Sequence, residues 1–176
     1  MRRNLHLLGW FNFLLDFRLY GPFAIIYFAQ VSGSYAVGMA VFATAQATAA
    51  LLEVPTGVLS DRLGRVRTLS LGAAFSVVAV AAYALAADAW VLMLGGLLEG
   101  VARSLFSGNN AALLHDTLTD LGEQDRYHHY FGRVSSLFQF GLASGALLGG
   151  VVGIWSLQAV SALSVLPQIG ALAITF

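Results

Sequence analysis

The chain has 176 residues, of which 58% are hydrophobic and only 10% charged, with a formal net charge of zero. Its mean hydropathy is +0.76. A soluble domain draws about 25% of its residues from Asp, Glu, Lys and Arg, so a water-soluble globule is excluded. All nine cations are arginines, balanced by nine carboxylates, which leaves no basic face for nucleic acid. Cysteine is absent, which excludes disulfide frameworks, cysteine-ligated zinc, iron–sulfur clusters and thiol catalysis.

A helix crosses the hydrocarbon core of a bilayer with about 20 apolar residues. Six stretches meet that length. The first runs from about Leu5 to Gln30, with a break at Gly21-Pro22. The second spans about Tyr35 to Val54 and is closed by Pro55 and Gly57. The third covers about Thr68 to Ala87, and Asp88 marks its end. The fourth runs from about Trp90 to Leu114, ahead of His115-Asp116. The fifth spans about Phe131 to Val152, and the sixth runs from Trp155 to Phe176. These unbroken runs lack the short alternating segments of a β-barrel. The opening Met1-Arg2-Arg3 is not a cleaved signal, because its apolar run is too long, contains Asp16 and Arg18, and lacks a small-residue cleavage site. The expectation is an all-α polytopic bundle of six transmembrane helices.

Arginine placement sets the expected orientation, because positive loops stay in the cytoplasm. Arg2 and Arg3 precede the first stretch. Arg62, Arg65 and Arg67 separate the second from the third, and Arg126 and Arg133 lie between the fourth and fifth. The other connections, at 30–34, 87–89 and 153–154, carry no arginine. Both termini are therefore expected in the cytoplasm, with the chain in the cell's inner membrane.

Four charges remain inside the apolar runs: Asp16 and Arg18 in the first, Glu99 and Arg103 in the fourth. Each costs at least about 2.5–3.5 kcal/mol near the bilayer centre, and such groups normally face a bundle interior or a wet cavity. Glu99 and Arg103 stand four apart and can pair on one helix face. Asp16 and Arg18 point roughly 200° apart on a continuous helix and need different partners. If residues 1–87 and 88–176 are two inverted three-helix repeats, the first and fourth helices correspond. Charge at that depth in those two helices alone fits a substrate or ion site where repeats meet. A structural ion pair is the plainer reading of Glu99–Arg103. Phe13 and Tyr20 are candidate contacts for an apolar substrate. In the fifth stretch Gly141, Gly145 and Gly149 form a small-residue stripe for close helix packing. His128 and His129 sit with acids on an exposed loop, which does not make a specific metal site, and no catalytic motif occurs.

Between the second and third stretches the chain reads Gly57-Val-Leu-Ser-Asp61-Arg62-Leu-Gly64-Arg65-Val-Arg67. This resembles the G-x-x-x-D-R-x-G-R-[RK] signature of the major facilitator superfamily, with Val66 in place of the usual final base. Glu53-Val-Pro-Thr-Gly57 before it, and Ser107-Gly108 through Ala112-Leu-Leu-His-Asp116 after it, are similar to drug-efflux-type members. On physical grounds Gly57 permits close helix approach and Gly64 a tight turn. Asp61 suits a helix N-terminus, and the planar donor fork of Arg65 suits a carboxylate such as Asp116. The resemblance implies that Gly57, Asp61, Arg62, Gly64, Arg65 and Asp116 form a gating latch between two six-helix halves. Two departures stand out. The arginine that many proton-driven exporters carry early in the fourth helix falls at Gly96 here, and the glycine–proline pair of the fifth is Gly145-Ala146.

The resemblance implies the N-terminal half of a twelve-helix transporter that works by alternating access. Its partners would be the lipid bilayer, a small-molecule substrate, protons, and either a C-terminal six-helix half or a second copy. No cofactor or metal is implied, and the chain is not expected to be an enzyme. The function expected is proton-coupled efflux of small amphipathic compounds, with Asp16 protonatable and Glu99, Arg103 and Arg18 beside the pathway. Import of a metabolite by proton symport, or a non-transporting membrane fragment, are the alternatives.

Overall fold

The computed structural model describes residues 2–175. Met1, Phe176 (the expected end of the sixth stretch) and the side chain of Arg2 lie outside what it describes. Among the described residues the chain is helical with no strand. The helices are α1 (Arg2–Asp16), α2 (Ala24–Ser32), α3 (Tyr35–Leu63), α4 (Arg65–Ala84), α5 (Ala89–Phe106), α6 (Asn109–Leu121), α7 (Tyr127–Gly153), α8 (Leu157–Leu163) and α9 (Val165–Ile174). Five helical stretches are long and apolar enough to cross a membrane: 35–63, 65–84, 89–121, 124–153 and 157–174. The first expected span does not qualify, because it is two shorter helices. The chain is a multi-pass membrane protein.

Several boundaries differ from expectation. Helix α1 ends at Asp16, ahead of Gly21-Pro22, which instead open a short 3-10 turn at Gly21–Phe23. The 200° separation of Asp16 and Arg18 therefore does not apply, since Arg18 lies beyond the helix. Pro55 does not close α3, which continues two more turns to Leu63. Proline removes one backbone donor and crowds the preceding turn. The Thr56 hydroxyl donates back to the Leu52 carbonyl at 2.7 Å and across to the Ser104 carbonyl of α5 at 3.0 Å, which ties this part of α3 to α5. The α3–α4 turn falls at Gly64, whose φ of +86° favours glycine. The fourth stretch breaks at Ser107-Gly108, where Gly108 has φ +72°, and its second piece, α6, runs on to Leu121. Asp88 caps α5, accepting from the Val91 N–H at 3.0 Å.

Broken helices leave backbone groups without intrahelical partners, and in a membrane these must be met by neighbours. At the end of α1 the Leu15 carbonyl accepts from Arg18 Nε at 2.8 Å and from Gln168 Nε2 at 3.1 Å. The Tyr20 N–H donates to Ser164 Oγ at 3.2 Å, so the break in α1 faces the break between α8 and α9.

Helix α5 sits between α3 and α4, while α1 lies along α7 and α9. Glycines set these spacings. On α7 a Cβ added at Gly141 would lie 2.5 Å from the Phe13 carbonyl oxygen, at Gly145 3.0 Å from Arg18 N, and at Gly149 it would overlap the Leu19 carbonyl. On α5, Gly96 and Gly100 meet the Val41 and Ala45 carbonyls of α3 at 2.9 and 2.6 Å in the same construction. Gly57 does not act in this way: no atom lies within 4 Å of its added Cβ.

Two apolar clusters fill the bundle. One gathers Leu19, Tyr27, Phe28, Val41, Val80, Leu92 and Val160. The other gathers Leu5, Leu8, Phe11, Leu15, Leu69, Ala73, Leu114 and Leu118. Following the chain along α1, α4 or α8–α9 leads from one cluster to the other through a polar layer.

Candidate functional site

That layer contains the charges expected from sequence. Glu99 lies about 15 Å along α5 from Ala89, at 1.5 Å per residue, and its side chain is 6% exposed. One carboxylate oxygen accepts from Arg18 at 2.6 Å and from Arg103 Nη2 at 2.8 Å and Nε at 3.1 Å. The other accepts from the Tyr83 hydroxyl at 2.8 Å. A buried carboxylate surrounded by four donors is held in one geometry, and two guanidinium groups share one anion. Arg18 also reaches Tyr20 Oη at 3.4 Å and Ser76 Oγ at 3.5 Å. Ser76 donates to Gln168 Oε1 at 2.7 Å, and Gln168 donates to the Leu14 and Leu15 carbonyls. The layer thus joins the α1 break, α4, α5 and α9.

Asp16 completes the charge count. Its carboxylate is half-buried and within Coulombic range of Arg18, Arg103 and Glu99. Among the described residues it has no hydrogen-bond or ion-pair partner. Two cations and two anions therefore cancel within the layer, yet one of the anions is left without a contact. The layer reaches the protein surface at Arg103, 42% exposed, whose Nη1 donates to Gln46 on α3 at 3.0 Å. Arg18 and Glu99 are enclosed by the bundle, and Arg103 is the member of the ion-paired core that reaches its surface.

Gly96, where an arginine would resemble proton-driven exporters, faces the α3 backbone at a distance that admits no side chain. Tyr20 is buried against Tyr83, their ring centroids 5.7 Å apart, and Phe13 stacks on Phe17 and Phe140. Tyr20 thus belongs to the layer's wall.

The second cluster lies at the α3–α4 turn. Arg65 Nη1 is 3.2 Å from Asp61, 3.1 Å from Ser60 Oγ and 3.2 Å from Asn109 Oδ1, and its Nε is 3.8 Å from Asp116. Ser60 also donates to Asn109 Oδ1 in a short bond. Arg65 thus ties α3, α4 and the start of α6 together. Arg62 is exposed and stands outside this set. No group of three or more His, Cys, Asp or Glu side chains among the described residues could hold a metal.

Sequence reasoning confined to charges passed over Gln46, Ser76, Tyr83, Asn109 and Gln168. Their signal was available: each is a polar group inside an apolar run, where an unmet hydrogen bond is expensive. It passed over Glu53 as well. With α3 continuing to Leu63, Glu53 becomes a fifth charge well inside a spanning helix, so charge at depth is not confined to the first and fourth stretches.

Comparison with known proteins gives these sites a context. The family model of the Major Facilitator Superfamily matches residues 7–176. The tetracycline resistance protein, class E, of Escherichia coli is 33% identical over 131 residues, which cover 74% of this chain and 30% of that protein. The multidrug resistance protein MdtH of Klebsiella pneumoniae (strain 342) is 31% identical over 102 residues, covering 58% of this chain and 23% of its own. The class C tetracycline resistance protein of Escherichia coli is 27% identical over 136 residues, or 77% and 32% of the two chains. The matched segment spans less than a third of the length of each of these relatives. The family match runs through every element of the charge layer and of the Arg65 cluster, and the chain belongs to the major facilitator superfamily.

Proposed function

We propose that the protein is a secondary active transporter that exports small amphipathic compounds by alternating access in exchange for protons. In this reading six spans form two three-helix repeats, with both termini in the cytoplasm of a bacterial cell and the bundle in its inner membrane. The observation that carries the proposal is the Arg18–Glu99–Arg103 layer with Asp16 beside it. Charges at this depth are retained in membrane proteins chiefly where a substrate, an ion or a proton passes. Arg18 follows a break in one helix, while Glu99 and Arg103 stand on the helix that corresponds to it in the second repeat.

Asp16 is the proton acceptor in this scheme. Proton uptake there leaves the layer with one excess positive charge, which favours a different packing of the α1 break. A proton and a substrate that prefer opposite packings are coupled by that difference. The Arg65 cluster serves as the cytoplasmic latch, and a second bundle, from further sequence or a second copy, supplies the opposite wall. The names of the relatives, resistance proteins for tetracycline and for multiple drugs, support export of organic compounds. A cleft of about 300 Å³ between α1, α6 and α7, lined by Asn12, Asn110, Gln139 and Phe138, offers amides and an aromatic ring for such a compound.

The test is Asp16→Asn in the intact protein, reconstituted in vesicles with an imposed pH gradient. Proton-driven transport is expected to vanish with insertion unchanged. Retained transport with the wild-type pH dependence would overturn the role of Asp16. Accumulation driven in the same direction as proton flow would overturn exchange in favour of symport.

A further inference from the structure

The Glu53-Val-Pro-Thr-Gly57 segment contributes no side chain to the layer or to the Arg65 contacts, and its carboxylate has an unusual position. Helix α3 has 29 residues and is about 43 Å long, against a hydrocarbon core of about 30 Å. Glu53 stands about 15 Å along the axis from Leu63. With the helix centred in the bilayer, it lies about 8 Å inside the hydrocarbon boundary. Yet Glu53 is exposed on the bundle surface. Among the described residues its carboxylate accepts one hydrogen bond, from the Ser107 hydroxyl at 2.9 Å. Among the described residues no cation pairs with it.

Its neighbours make the position informative. Residues 46, 53 and 60 of α3 are seven apart and share one face. Gln46 binds Arg103, Glu53 binds Ser107 and Ser60 binds Asn109. These three rungs form a polar seam between α3 and α5–α6 that runs from the buried layer to the Arg65 cluster. At the upper rung Arg103 is neutralised by Glu99, and at the lower Arg65 is neutralised by Asp61. Glu53 is the seam's one charge without a countercharge among the described residues. Acyl chains do not tolerate such a group, so this face borders water.

We propose that Glu53 is a recognition site for lipophilic organic cations on the seam between the Arg65 cluster and the charge layer. The chemistry is that of a negative group with free lone pairs, held in place by the helix-break residue Ser107 on a helix that also exposes the apolar side chains of Val54 and Val58. The assignment rests on the transport reading above for its biological setting, and the binding chemistry itself is independent of it.

The experiment uses the intact protein in lipid nanodiscs, with tetraphenylphosphonium as a permanently charged probe and triphenylphosphine oxide as its neutral counterpart. Glu53→Gln is expected to weaken binding of the cation by about two- to fivefold, the scale of a solvent-exposed charge contact. Affinity for the neutral probe stays at the wild-type value, and Glu53→Asp retains cation binding. In the wild type, the cation is expected to protect Glu53 from carbodiimide labelling while the neutral probe does not, which requires no variant to fold. Equal loss of both probes in Glu53→Gln, unchanged cation affinity, or labelling indifferent to the cation would each overturn the proposal. Cation binding without any transport would instead count against the transport reading and leave this site standing.

Discussion

Glu99→Gln removes one charge and leaves the shape of the side chain, so it isolates the ionic part of the layer. Glu99 accepts four hydrogen bonds, and its side chain is 6% exposed. Glutamine keeps one acceptor oxygen and turns the other into a donor, which then faces either an arginine or the Tyr83 hydroxyl. The larger penalty falls on Arg18, whose side chain is 14% exposed and whose one ion-pair partner among the described residues is Glu99. Removing one member of a buried pair costs about 3–5 kcal/mol, because the other charge stays buried. Arg103 is 42% exposed, so Arg103→Gln costs no more than about 1 kcal/mol, the range of solvent-screened pairs. Arg18→Met combined with Glu99→Leu removes both charges and leaves the Tyr83 hydroxyl unmet, at about 1–3 kcal/mol. The double variant is therefore expected to be more stable than Glu99→Gln alone. Chemical unfolding of the intact protein in micelles measures all three variants against the wild type. A Glu99→Gln protein within about 0.5 kcal/mol of wild type, or a double variant less stable than the single one, refutes an ion-paired layer.

The glycines separate in the same assay. Gly149→Ala drives a methyl into the Leu19 carbonyl and is expected to cost about 1–3 kcal/mol, whereas Gly57→Ala, with open space around its Cβ, gains about 0.5–1 kcal/mol of helix stability. Gln168→Leu strands the Leu14 carbonyl and Ser76, with an expected loss of about 1–3 kcal/mol and faster amide exchange around the α1 break, measured by hydrogen–deuterium mass spectrometry. Arg65→Lys loses the fork that spans Asp61, Ser60 and Asn109, and vesicle flux is expected to fall about tenfold, the equivalent of about 1.4 kcal/mol in a barrier, with insertion unchanged. Wild-type flux in that variant would refute the proposed latch role of the Arg65 fork.

What the sequence made legible was whatever depended on composition and local spacing. Apolar run length located the helical stretches, the i, i+4 rule placed Glu99 on Arg103, and the glycine stripe on α7 marked a close approach. The partner of Arg18 was not legible, because Glu99 is 81 positions away and only the tertiary fold brings the segment after α1 within side-chain reach of α5. Helix ends were misplaced where tertiary contacts outweighed a local signal. Helix α3 runs past Pro55, which removes only one backbone donor, and Arg18 with Gln168 lets α1 stop at Asp16, five residues before the glycine and proline that look like the natural break. The family signature suggested close packing at Gly57, but a motif reports that glycine is present and not which surface, if any, comes near it.

The two polar clusters gain their significance from the seam between them. An isolated ion layer between two apolar clusters would serve only to fix helix register. Here Arg103 is shared: it neutralises Glu99 on one side and binds Gln46, the top rung of the α3 face, on the other. Below it Ser107 lies at the break between α5 and α6, with Gly108 in the left-handed region, and below that Asn109 binds Ser60 and Arg65. Under the transport proposal above, a change in the charge of the layer would act on Arg103, hence on the α3–α5 register, and reach the Arg65 cluster through a segment where the helix is already interrupted. Close-packed contacts such as Gly96 on Val41 resist gradual sliding, so any such shift moves between discrete arrangements. In the transport cycle proposed above, the charge gained and lost is that of Asp16, which stands within Coulombic reach of both arginines while bonded to neither.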